Sequence, residues 1–372
     1  MRFGLTEVSG ALGDLGTFVP LVAALIAFCG LDGGTVLLFA GLFNVATGLM
    51  FNQPLPVQPM KAIAAVAIGE GLARTEIAAA GFAAGAIVLF VGVSGLVDLV
   101  KRLTPHAVVR GIQLGVGLKL AAKGLTMILS LGWWGTNSRL IGIAGALLVL
   151  LSWRRQRFPT ALVLFVCGLA LVVAGAATLG AVSWGWGGIE TLWPNLSQWK
   201  SGILRGALPQ IPLTLLNSVI AVCALSEDYF PGRGIAPRTM AISVGLMNTV
   251  SCMFGAMPVC HGSGGLAGQY RFGARTGGSV VMLGIAKIAL ALALGSAAGP
   301  LMQAFPAALL GVMLVSSGME LTLPARDCAQ REAFFVAAAT AGGILAVNTW
   351  VGFIVGLAAG IALLRKDPKQ QE

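Results

Sequence analysis

Apolar runs of roughly 17–25 residues, each long enough to cross a bilayer as a helix, recur along nearly the whole chain. Of its 372 residues 57% are hydrophobic and 10% charged, against about 25% charged in a soluble domain. The expected class is an all-α integral membrane protein, because a helix satisfies its own backbone in lipid. Segmentation gives fourteen membrane elements, at 8–29, 35–51, 56–69, 76–98, 105–130, 139–153, 159–180, 203–226, 237–254, 258–272, 278–298, 303–321, 330–347 and 349–364.

The net charge of +10 invites a nucleic-acid partner, but its distribution argues against one and for a lipid bilayer. With the N-terminus cytoplasmic, fifteen Lys and Arg fall on the inner side, including Lys101, Arg102, Arg154, Arg155, Arg157, Arg365, Lys366 and Lys369. Four fall outside (Arg74, Arg139, Lys200, Arg205) and five within elements. That is the positive-inside bias. The same map puts Trp133, Trp134, Trp184, Trp186, Trp193, Trp199 and Trp350 at the outer interface, where indole rings favour the headgroup layer. The expected setting is the cell membrane, multi-pass, with both termini cytoplasmic. The opening MRFGLTEVSGALGDLG has a glutamate and repeated glycines where a signal peptide needs an apolar core, so no cleaved signal is expected. The six cysteines are scattered without metal-ligand spacing and read as small buried hydrophobes. Neither a metal nor a cofactor is expected.

The chain also repeats itself. GLFNVATGLMF at 41–51 matches GLMNTVSCMFG at 245–255, pairing Asn44 with Asn248 and Thr47 with Ser251. LPVQPMKAIAA at 55–65 matches MPVCHGSGGLA at 257–267, and GALGDLGTFVPL at 10–21 resembles GALPQIPLTLLN at 206–217. A fourth pair, TPHAVV at 104–109 with FPAALL at 305–310, keeps the same order. Two halves of seven elements, 1–201 and 202–372, follow, and an odd number of crossings inverts the second half.

The third and tenth elements are too short to span a core of about 30 Å. Each opens on proline-bearing chain, Pro54, Pro56 and Pro59 in one and Pro258 in the other. They read as half-helices whose N-termini meet near the midplane, each offering unpaired N–H groups and about half a positive charge. Together they form a candidate anion site. Its candidate residues are Gln58, Pro59, Met60 and Lys61 on one side, Cys260, His261, Gly262, Ser263 and Gly264 on the other, with Gln210 and Asn217 as a further wall. Gly264 and Gly265 have an alternative use in tight helix packing. Two readings of Lys61 stand: it attracts an anion, or it neutralises Asp14 within the first span. His261 either donates to an oxyanion and titrates or packs as a helix cap. Asn44 and Asn248 fit interhelical bonding better than ligand contact. Lys119 and Glu320 are repeat-equivalent, with no mechanism attached.

These residues resemble a family. PVQPMKAIAA, FGAMPVCHGSGGLAGQYRFGART and the opening GALGDLGTFVP look like the signature segments of the molybdate transporter family, distant relatives of the sulfate permeases, and the resemblance covers essentially the whole chain. It implies uptake of molybdate or a similar tetrahedral oxyanion, tungstate or sulfate included. It also implies the sulfate permease and nucleobase transporter fold, with a core domain at about 8–98 plus 203–298 moving against a gate domain at about 101–180 plus 303–364. After the last element comes only RKDPKQQE, so no cytoplasmic regulatory domain of the sulfate permease kind is expected. A homodimer is a candidate assembly.

An enzyme is disfavoured: two histidines, no H-E-x-x-H and no visible nucleophile–base pair. A channel would want a continuous polar pore, and polar residues concentrate at one locus. A secondary importer of the dianion needs energy against an inside-negative potential, so proton symport is expected, with Asp14 or His261 as carrier. A nucleobase/proton symporter is the alternative, although such substrates call for carboxylates beside the half-helices.

Overall fold

Every long apolar stretch folds as a helix in the computed structural model, which describes residues 1–97, 105–153, 160–174 and 185–364. In chain order these are α1 Leu5–Cys29, α2 Gly33–Phe51, α3 Lys61–Glu70, α4 Arg74–Ser94, α5 His106–Leu129, α6 Arg139–Ser152 and α7 Thr160–Ala174. They continue as α8 Leu196–Tyr229, α9 Pro237–Ser251, α10 Ser263–Arg271, α11 Gly278–Gln303, α12 Ala307–Thr322, α13 Arg331–Ala346 and α14 Thr349–Leu364. Each answers to one expected element. The end of the seventh element, the basic residues 101, 102, 154, 155, 157, 365, 366 and 369, and Trp184 lie outside the described residues.

Among the described residues seven spans are long and apolar enough to cross a membrane. Trp133, Trp134, Trp186 and Trp193 are exposed, as an interfacial role requires. Of the cysteines, five are buried as expected and Cys167 is exposed. α8 is the most irregular helix. Its turns loosen into π-helix at Gly202–Ala207 and Thr214–Ile220, on either side of Pro209 and Pro212, whose missing N–H groups interrupt the regular ladder.

The chain is not purely helical. The proline-led segments before the two short helices are extended strands, β1 Val57–Pro59 and β2 Val259–His261, paired antiparallel with Gln58 opposite Cys260. Proline does not start these helices, as its place in the sequence suggests: Pro59 ends β1, and Pro54, Pro56 and Pro258 come before the strands. Extended backbone at membrane depth must find partners within the protein, and each strand finds them in the other.

Packing repeats under a shift of seven elements. α2 lies along α11 and α9 along α4; α1 packs on α10 and α8 on α3; α1 packs on α11 and α8 on α4. α5 and α12 pair with each other. The short α3 is enclosed by protein, every residue from Ala62 to Ile68 being buried. This is how a ten-residue helix, about 15 Å long at 1.5 Å per residue, survives where it cannot span.

Candidate functional site

Two asparagines hold the strand pair from behind. Asn44 Oδ1 accepts the Val57 N–H at 2.8 Å, and Asn248 Oδ1 accepts the Val259 N–H at 2.8 Å. Asn248 Nδ2 also donates to the Val259 carbonyl at 2.6 Å. The repeat-matched asparagines thus do the same job on repeat-matched strands, and both oxygens are spent on structure.

Beyond the strands the chain turns helical, and the first N–H groups of α3 and α10 lack intrahelical acceptors. The two ends are treated differently. At α3, Gln210 Oε1 accepts from Ala62 N and Ile63 N at 2.9 and 3.2 Å, and its own Nε2 donates to Thr214 Oγ1 at 2.8 Å. Gln210 is therefore a cap reaching across from α8. At α10 no side chain among the described residues caps the N-terminus. Its first intrahelical bond is Leu266 N to Gly262 O, which leaves the N–H groups of Ser263, Gly264 and Gly265 as donors.

A cavity of about 710 Å³ opens in front of this end. Six of the ten substrate-site residues expected from sequence line it: Lys61, Gln210, Cys260, Gly262, Ser263 and Gly264. A Cβ placed on Gly264 would meet nothing within 4 Å, so that glycine presents bare backbone to open space. Lys61, the first residue of α3, makes no ion pair or hydrogen bond in the described structure. Asn217 and Thr17 add polar groups to the wall, while Ser316, Ser317 and Glu320 face them from α12. Arg110 stands on the wall too, bonded to Gln113 and ion-paired with Asp327.

Four expected site residues turn elsewhere. Pro59 and Met60 are buried in the strand and its exit, off the cavity wall. His261 is fully buried, its Nε2 3.0 Å from Ser243 Oγ and its Nδ1 3.1 Å from the Pro56 carbonyl oxygen. Both ring nitrogens are engaged within the protein, and the imidazole does not line the cavity. Gln58 is off the cavity wall, donating from Nε2 to Asp14 Oδ1 at 2.5 Å. Its amide fills the space where a Cβ on Gly262 or Gly265 would sit, which explains both glycines by close approach.

Asp14 is 0% exposed and does not line the cavity. The expected Asp14–Lys61 neutralisation is not formed. The cation facing Asp14 is Lys287 of α11, Nζ to Oδ2 4.0 Å, with that Nζ also 3.5 Å from the Phe18 ring centroid. Sequence reasoning passed over Lys287, although a lysine inside an apolar span is itself a signal. Lys119, repeat-equivalent to Glu320, bonds Glu70 at 2.7 Å, where Arg205 and Thr349 also converge at 3.1 Å. That cluster ties the far end of α3 to α5, α8 and α14.

The fold and the site define a class: a multi-span membrane protein of transporter fold. The same fold is seen in "The overall structure of SLC26A9", with TM-score 0.71 and 14% identity over 97% of this chain and 65% of that one. It recurs in "The transmembrane domain of a cyanobacterium bicarbonate transporter BicA", with TM-score 0.65 and 16% identity over 96% and 98% of the two chains. Within that class, the chain belongs to the molybdate transporter family. The family model described as "Molybdate transporter of MFS superfamily" matches residues 6–120 and 202–321. Molybdate transporter 1 of Arabidopsis thaliana is 38% identical over 95% of this chain and 87% of its own length. Molybdate transporter 2 of the same plant is 39% identical over 89% and 81%. A guanine/hypoxanthine permease of Escherichia coli O157:H7 matches at 25% over 46% of this chain.

Proposed function

We propose that this protein is a secondary active importer of molybdate, coupled to protons, in the cell membrane with both termini cytoplasmic. The observation that carries the reading is the uncapped N-terminus of α10, opening with the unpaired Lys61 onto one cavity. Three free N–H groups, a helix-end partial charge and one ammonium suit a tetrahedral dianion. Family membership supports molybdate as that dianion, and tungstate and sulfate share its shape and charge. In this reading halves 1–201 and 202–372 are inverted copies, which accounts for the packing shift of seven. α5 to α7 and α12 to α14 form a gate that moves against the remaining helices, and the cavity lies between the two groups.

Coupling follows from energy. Carrying a dianion inward against an inside-negative potential costs ~2.3 kcal/mol per charge for each 100 mV, so uptake without a co-transported cation would not concentrate it. Proteoliposome uptake of molybdate, tungstate, sulfate and uracil, with and without an inward proton gradient, tests the whole proposal. Molybdate uptake raised by the gradient is expected; uracil uptake in its place would favour the nucleobase reading, and gradient-independent uptake would remove the coupling.

Lys61 gives a sharper test of the site. Lys61→Gln should weaken molybdate binding roughly ten- to a hundredfold, the scale of a lost charge-assisted hydrogen bond. Its melting temperature should stay at the wild-type value, since no buried partner is stranded. Lys61→Arg keeps the charge in a longer, forked group and should recover affinity only in part. Unchanged affinity in Lys61→Gln would take the ammonium out of the site.

A further inference from the structure

Two carboxylates line the cavity among the described residues, Glu320 on α12 and Asp327 just beyond that helix. Asp327 is neutralised by Arg110, Nη2 to Oδ2 2.6 Å. Glu320 is exposed, lines the cavity, and makes no hydrogen bond or ion pair among the described residues. The cation whose field acts on it is Lys61, which lines the same cavity. An ionised carboxylate in the pocket of a dianion opposes the ligand, and a bound dianion in turn favours the protonated acid.

Asp14, the other carboxylate considered for proton carriage, is poorly placed. It has no exposed surface, and its two oxygens face Gln58 and Lys287 rather than the cavity. The remaining charged groups on elements packed against α12 are also accounted for. Glu7 on α1 accepts from the backbone at Arg275 and Thr276. On α5, Arg110 is held by Asp327 and Lys119 by Glu70, and His106 lies at the helix start beside Arg110 and Asp327. Lys123 on α5 is turned to the Phe28 ring. Arg139 on α6 donates to the Leu129 carbonyl. α7 carries no charge between Thr160 and Ala174, and Arg326, after α12, lines the same cavity.

From this placement we infer that Glu320 is the proton carrier of the transport site, taking a proton from cavity water as the oxyanion binds and returning it to water as the oxyanion leaves. The inference rests on the oxyanion-transport reading above. No bond other than the carboxyl O–H forms or breaks, and water is donor and acceptor. The sign of the linkage is fixed: binding the dianion raises proton affinity at Glu320, so lowering the pH must raise molybdate affinity. Between the carboxyl's free and ligand-bound pKa values the gain is about tenfold per pH unit.

The test uses the purified full-length chain, with molybdate affinity measured by calorimetry between about pH 5 and 8.5, from just above the ordinary carboxylate range upward. Wild type should bind more tightly as pH falls. Glu320→Gln, neutral at every pH, should bind on the order of tenfold more tightly than wild type at the alkaline end and lose the slope. Glu320→Asp, which keeps a titrating group, should keep the slope, and so should Asp14→Asn. In proteoliposomes Glu320→Gln should carry molybdate without response to a proton gradient. A wild-type slope in Glu320→Gln, or a slope lost only in Asp14→Asn, overturns the inference. Should Glu320→Gln fail to fold, a wild-type chain whose affinity is flat across the pH range overturns it equally. A wild-type chain that binds no molybdate at any pH instead overturns the transport reading, and the inference falls with it.

Discussion

Replacing Gly264 by valine should abolish molybdate binding, weakening it by more than about a hundredfold, while the protein folds and melts as the wild type does. The forecast rests on where the new side chain goes. Gly264 is the second residue of α10, its N–H is one of the unsatisfied donors, and a Cβ there meets no protein atom within 4 Å. Valine therefore costs the fold little, and removing glycine from a helix is itself worth roughly 0.5–1 kcal/mol. What it occupies is the space a ligand must use to reach the N–H groups. Gly262→Ala is the contrast. Its Cβ would collide with the Gln58 amide, so it should lower the melting temperature as well as the affinity. Calorimetric affinity and melting temperature for both variants separate occlusion from misfolding. Wild-type affinity in Gly264→Val would move the anion away from α10.

The sequence made the membrane class, the fourteen helices and the two short segments legible, because hydrophobic length and repeated proline-led motifs report directly on backbone satisfaction in lipid. It also paired Asn44 with Asn248 correctly, down to their shared hydrogen bonds to Val57 and Val259. What it could not supply was direction. Gln58 lies directly opposite the cavity-lining Cys260, yet its amide is taken up by Asp14 and packed against Gly262 and Gly265, off the cavity wall. For His261 the cause is alternation along the strand: beside a glycine-rich helix start it reads as a ligand, while its place next to Cys260 turns its ring the other way, to Pro56 and Ser243. Gln210 was legible as a wall residue and illegible as a cap, because the contact with Ala62 and Ile63 spans nearly 150 positions of chain. Glu320 shows the converse. Its match to Lys119 in the repeat carried no mechanism, and the fold separates their roles, giving Lys119 to Glu70 and leaving Glu320 on the cavity wall.

The larger stability effect is expected at Lys287, which sequence reasoning passed over in favour of Lys61. Asp14 and Lys287 face each other at 4.0 Å, both essentially buried, and neither Asp14 Oδ2 nor Lys287 Nζ has a hydrogen-bond partner in the described structure. Such a pair adds little net stability over an apolar one, since desolvation offsets the attraction, but removing one partner strands the other at a cost of about 3–5 kcal/mol. Lys287→Met should therefore lower the melting temperature sharply, or force Asp14 to take up a proton. Either way its stability should improve as pH falls, because protonation removes the uncompensated charge. Asp14→Asn combined with Lys287→Met should recover most of the loss, while keeping an amide for Gln58 to bond. Lys61→Gln combined with Asp14→Asn should show no such rescue, since those two residues make no ion pair or hydrogen bond among the described residues. Thermal melts of the single and double variants across pH decide the matter. Additive losses in Asp14→Asn/Lys287→Met, or rescue by Lys61→Gln, would show that Asp14 draws its compensation from the cavity lysine after all.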